Sequence, residues 1–139
     1  MIVAYFWKVK PRAIPFAFVA MALDRFVLRR SSNVGFFKSL GTGKGETFTP
    51  MEANPIRWGL LAEVTDIKAF DNSFVNKQWR RNSINEFRAV IEPISSHGKW
   101  AGYEPFVPSI KEWDGQVIAI TRARIACYRT LDFGVRFHQ

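Results

Sequence analysis

Residues 2 to 10 read Ile2-Val3-Ala4-Tyr5-Phe6-Trp7-Lys8-Val9-Lys10, and this stretch decides the fold. In a strand, successive side chains point to opposite faces. Ile2, Ala4 and Phe6 fall on one face, and Val3, Tyr5, Trp7 and Val9 on the other. A strand with one wet face alternates apolar with polar residues. This one is apolar on both, which predicts a central strand covered on two sides. Pro11 stops it.

Working outward, Pro15 suits the first turn of a helix, and the spacing predicts a helix from Pro15 to Arg30. Phe16, Val19, Ala20, Leu23 and Val27 recur at helical spacing and are read as its buried stripe. Ser31, Ser32 and Asn33 make a polar turn before a second strand, Val34 to Leu40. A third strand alternates through Trp58, Leu60, Ala62 and Val64. Asp66 opens a helical stretch reaching about Ser83, with a break near Asn76. Phe87, Ala89 and Ile91 then alternate with Arg88 and Glu92 as a fourth strand, stopped by Pro93.

The order strand, helix, strand, strand, helix, strand is the ferredoxin-like α+β pattern, an antiparallel βαββαβ sheet with both helices on one face. The other face is left apolar and open. A second such sheet, from another subunit or a tandem repeat, would close it into a dimeric α/β-barrel, so a homo-oligomer is expected. After an irregular stretch, Val117 to Ile125 is read as an extra C-terminal strand. Residues 1–116 are therefore assigned to the ferredoxin-like domain, and 117–139 to the first strand of an incomplete second repeat and a tail.

Composition narrows the function classes. Of the 139 residues, 47% are hydrophobic, enough for one domain core, and thirteen Phe and five Trp supply much of the area. Lys and Arg outnumber Asp and Glu by 20 to 12, but the excess is scattered and reads as a solvated basic face. Such a face attracts acidic membrane lipids. No nucleic-acid-binding signature is present, so nucleic acid is not an expected partner. Cys127 is the single cysteine, which excludes an intramolecular disulfide and a cysteine-based metal cluster and favours a cytoplasmic location. Ala13 to Leu28 is apolar but carries Asp24 and Arg25, and it is shorter than the roughly 20 residues a span requires. It is expected to be a buried or membrane-apposed helix, with the protein in contact with the inner face of the membrane.

The run Gly41-Thr42-Gly43-Lys44-Gly45-Glu46-Thr47 lacks the Gly-Lys-Ser/Thr end of a phosphate-binding loop and the helix of a dinucleotide fingerprint, since Pro50 and Pro55 follow. Its glycines are read as a turn with positive φ. Taken as a longer unit, Phe36-x-Lys38-x-Leu40-Gly41-x-Gly43-x-Gly45-x-x-Phe48-x-Pro50 resembles the signature of the spheroidene monooxygenase-like family of carotenoid-modifying oxygenases. Trp58 with its apolar strand, Pro93, His97-Gly98-x-Trp100-x-Gly102-x-x-Pro105-Phe106 and Thr121-Arg122-Ala123 follow in the family's order. The resemblance extends from residue 1 to about residue 125 and looks like the front part of such an enzyme. It departs from the family in Ala126 to Gln139 and in the second repeat.

That resemblance implies a monooxygenase acting on an acyclic carotenoid, using haem, dioxygen and an external electron donor. His97 is the histidine within the matched region and the candidate axial ligand of haem iron, a loop-fixing role being the alternative. Cys127 is a weaker candidate as a thiolate, with a small buried hydrophobe as its alternative, and His138, one residue from the end where chains usually fray, is weaker still. Lys38 and Arg122, charged residues in apolar strands, are candidate catalytic groups facing a barrel cavity, or else they snorkel to an edge. Phe48, Trp100 and Phe106 are candidate walls for a polyene, or plain core. Two other classes stay open: a non-enzymatic dimer of the same fold binding a small apolar ligand, and an oxygenase that needs no cofactor.

Overall fold

The computed structural model describes residues 1–43, 53–100, 102–108 and 112–120. Strand β1 (Ile2–Val9) leads through a 3-10 turn at Pro11–Ala13 into helix α1 (Ile14–Arg30). Strands β2 (Val34–Gly43) and β3 (Ala53–Val64) follow, then helices α2 (Ile67–Asp71) and α3 (Phe74–Asn82) and strand β4 (Ser83–Ile91). The antiparallel sheet has the order β2-β3-β1-β4, the ferredoxin-like arrangement. β1 is central, with Ile2 opposite Glu63 on one side and Ile91 on the other.

Pairing on both edges satisfies the backbone of β1, and packing on both faces buries its side chains. Val3, Tyr5, Trp7 and Val9 face the helices and form the main core with Leu60, Ala62, Val64, Phe70, Val75 and Trp79. Tyr5, Trp7 and Trp79 stack in succession, with ring centroids 5.3 and 5.1 Å apart. Asp66 caps α2 by accepting from the Ala69 amide, and Ser73 caps α3 by accepting from Asn76. Ser73 restarts the chain as a separate helix, so the break in this stretch falls at Asn72 and Ser73, ahead of the expected Asn76.

The buried stripe of α1 differs from the expected one. Ala17, Ala20, Asp24 and Leu28 face the sheet, whereas Val19, Leu23 and Val27 are exposed. Small alanines let the helix approach the broad Trp7, Trp58 and Trp79 rings, and Asp24 enters the core because it accepts hydrogen bonds there. Trp79 Nε1 donates to it at 2.6 Å and Gln78 Nε2 at 2.7 Å. Gly41 and Gly43 are part of β2 rather than a positive-φ turn. Gly45 lies outside the described residues. β3 begins earlier than expected, at Ala53, and β4 at Ser83. Val117 to Ile120 lie outside the sheet, and 121–125 lie outside the described residues.

A second set of polar contacts ties the helices to β4. Tyr5 donates to Asp71, Arg88 grips the same carboxylate at 2.9 and 2.8 Å, and Trp7 Nε1 donates to Glu86 at 2.8 Å. Arg80 pairs with Glu86 at 3.0 Å. Burial pushes the Tyr5 hydroxyl well above the usual tyrosine range, reinforced by the carboxylate beside it. Burial raises the Asp24 carboxyl, against the pull of Trp79 and Gln78. For Asp71 partial burial also pushes upward, but the hydrogen bonds from Arg88 and Tyr5 outweigh it and hold the carboxyl below its ordinary value.

These opposite directions give opposite pH slopes. A raised carboxyl adds stability below its unfolded pKa that is lost as pH rises through the folded value. A depressed one adds stability above its unfolded pKa that is lost as pH falls. In urea unfolding from acid to neutral pH, Asp24→Asn should remove a loss of stability on raising pH, and Asp71→Asn should remove a loss on acidification. Asp24→Ala, which strands the Trp79 indole N–H, should cost about 1–3 kcal/mol.

Candidate functional site

The sheet face turned away from the helices is covered at one end only. There β1 contributes Ile2 and Ala4 and β3 contributes Leu61, all buried, flanked by Leu40 of β2 and Ile91 of β4. Trp100 and Phe106, from the segment after β4, pack onto them. Phe36 of β2 anchors both: its buried ring meets Trp100 edge-on at 5.8 Å and Phe106 at 6.1 Å, with Tyr103 at 6.4 Å. Edge-to-face contacts at such distances add to plain area burial.

The covering segment is shaped by its own backbone. Trp100 N donates to Tyr103 O at 2.7 Å, and Tyr103 N returns a bond to Trp100 O at 3.1 Å. Gly102 at φ +86° makes that turn possible, and Gly98 at φ +81° shapes the approach to it. Between this segment and the sheet lies a cavity of about 570 Å³ whose lining includes Ile2, Ile91, His97, Trp100, Phe106 and Ile118. That volume is in the range of small-molecule sites. His97 is at its exposed rim, with Nε2 3.1 Å from the Ser95 hydroxyl.

Three sequence candidates, His97, Trp100 and Phe106, thus meet at one cleft. Lys38 is near but not in it; its Nζ lies 5.7 Å from the centroid of the Phe36 ring, on the same sheet face. Phe48, Arg122 and Cys127 lie outside the described residues. Among the described residues no three His, Cys, Asp or Glu side chains are grouped to hold a metal ion.

The other end of the same face is uncovered. Phe6 and Phe87 meet at 6.3 Å and remain 40% and 59% exposed beside Lys8, Arg57 and Asn85, around a wide depression of about 800 Å³. A Cβ on Gly59 would come within 2.8 Å of the Phe6 ring, so the glycine lets that ring lie across β3. Phe36, Phe6 and Gly59 were not singled out as site residues from sequence. The available signals were a glycine inside a strand pattern and a phenylalanine on the open-face parity of β1.

Over 131 residues the chain is 33% identical to spheroidene monooxygenase of Rhodobacter capsulatus, an alignment covering 89% of this chain and 54% of that protein. Along most of its length the chain is thus similar to spheroidene monooxygenase. Spheroidene monooxygenase of Cereibacter sphaeroides is 32% identical over 106 residues, covering 73% of this chain and 32% of that protein. The chain therefore spans about half or less of the length of these relatives. No family model matches it. Two solved structures are similar. A putative antibiotic biosynthesis monooxygenase from Nitrosomonas europaea has TM-score 0.46 and 14% identity, covering 63% of this chain and 92% of that one. A second antibiotic biosynthesis monooxygenase has TM-score 0.47 and 14% identity, with 68% and 100% covered.

Within this spheroidene monooxygenase-like chain, Phe36 is the contact on which the cleft's cover depends. Phe36→Ala should destabilise the fold by about 3–5 kcal/mol. It should also release the covering segment, read as faster proteolysis after Lys99 with the sheet still intact by circular dichroism.

Proposed function

We propose that the chain is the ferredoxin-like front unit of a carotenoid monooxygenase. The observation carrying this is the cluster of Phe36, Trp100 and Phe106 beside a cavity of about 570 Å³ with an imidazole at its rim, in a chain similar to spheroidene monooxygenase. Flat apolar walls suit an acyclic polyene, which offers a conjugated face and almost nothing to hydrogen-bond. Insertion of one oxygen atom of dioxygen into a C–H bond of the substrate sends the other to water. That requires an electron pair and a pair of protons from an external donor.

The residues fit haem as the group that activates dioxygen. The wall of Ile2, Ile91 and Trp100 is apolar, and His97, whose Nε2 meets the Ser95 hydroxyl at 3.1 Å, would be the side chain to hold the iron. Lys99, paired with Glu104 at 3.9 Å, lines the same rim. Haem supplies the oxygen chemistry when bound; the chain supplies the ligand, the apolar wall and exclusion of water. The uncovered Phe6 and Phe87 are where a second sheet of the same kind, from another copy in a homo-oligomer, would close the barrel.

Titration of the purified chain with haemin should give a saturable Soret band. His97→Ala should weaken binding by at least about tenfold, while His138→Ala should leave it unchanged. Equal affinity in His97→Ala overturns the ligand assignment, and carotenoid turnover in metal-free protein favours the cofactor-independent alternative.

A further inference from the structure

Helix α1 is apolar on two sides. Its inner side is buried on the sheet through Ala17, Ala20 and Leu28. Its outer side presents Val19, Leu23, Phe26 and Val27, spaced by three and four residues and therefore in one stripe. These are 57%, 56%, 46% and 47% exposed, and Phe18 beside them is 57% exposed. A helix apolar all round needs a cover on every side.

The charges around the stripe identify that cover. Arg25, Arg29 and Arg30 are exposed on the same helix, and the Arg25 guanidinium lies 4.8 Å from the Phe26 ring centroid. The one acid of α1, Asp24, is turned into the core and bonded to Trp79 and Gln78. On α3, which carries no acid, Lys77 and Arg81 are exposed, and Arg80 is paired with Glu86 of β4. Exposed arginines thus flank the apolar stripe of α1 on its own helix, within a chain of net charge +8, while the acids of the helix layer on α2 are engaged, Asp71 by Arg88 and Asp66 as the cap of that helix. A second copy meeting this face head-on would set the same arginines against each other.

We infer that the outer face of α1 docks on an anionic lipid bilayer, lying in the interface with Val19, Leu23, Phe26 and Val27 among the acyl chains and the arginines at the phosphates. At 17 residues α1 is about 25 Å long, and no helix among the described residues is long and apolar enough to cross a membrane. It would lie on the bilayer, as amphipathic helices with a basic flank do. Docking deepens the reading above by placing the protein at a surface where a polyene dissolves, but its evidence is separate.

The test uses the full chain and lipid vesicles alone, without haem or carotenoid, so failure of the oxygenase reading leaves it standing. The chain should sediment with phosphatidylglycerol-containing vesicles, bind pure phosphatidylcholine vesicles far less, and lose binding as salt is raised. Arg29→Gln with Arg30→Gln should weaken partition on the order of tenfold or more, since each cation near an anionic surface contributes about fivefold. Leu23→Ser with Phe26→Ser, both exposed, should weaken it at least about tenfold while thermal melts stay unchanged. Equal binding by these variants overturns the inference, as does absence of vesicle binding in the unmodified chain. A dimer seen by light scattering that dissociates in Leu23→Ser/Phe26→Ser would also overturn it, because the occupant would then be a second copy.

Discussion

A strand that is apolar on both faces has to be covered twice, and the rest of this molecule follows from meeting that demand for β1. The helix side is covered by α1 and α3, with Trp7 and Trp79 stacked between them and the sheet. The other side is covered by Trp100 and Phe106 at the Ile2 end alone. What lies under the second cover is a cavity, and what lies beyond it is bare aromatic surface. Site and sheet topology are thus two consequences of one strand.

The polar groups of the core obey the same logic. Asp24 occupies a position where a hydrophobe would be expected and is tolerated because two donors, Trp79 Nε1 and Gln78 Nε2, converge on it. Asp71 and Glu86 each accept from an aromatic side chain of β1 and an arginine, fastening the central strand to α2, α3 and β4. Carboxylates with such partners, one buried and two half-buried, fix one arrangement of the large rings, where apolar packing alone would allow several.

Much of the fold was legible because period and punctuation agree. The double-faced β1, the helix after Pro15 and the strand before Pro93 all match. The inner face of α1 was not legible, since alanine carries a weak hydrophobic signal and an aspartate among apolar residues reads as an interruption, so Val19 and Leu23 drew the stripe to the wrong side. The glycines of β2 were misread because the two-residue alternation of an extended chain continues through them. At the site, His97, Trp100 and Phe106 were found through spaced motifs. Phe36, the ring that holds the cover down, is not legible as a contact, because nothing local to it announces a partner more than sixty residues away.

The sheet order has a consequence for how the chain comes to be folded. β1 and α1 are made first, yet Ile2 finds its neighbours at Glu63 and Ile91. Both faces of β1, and the inner side of α1, therefore wait for synthesis of most of the sheet before they are packed. Contacts this distant along the chain form slowly and leave sticky surface exposed meanwhile. The strand that gives the protein its core is thus also the surface most open to wrong partners while the sheet assembles.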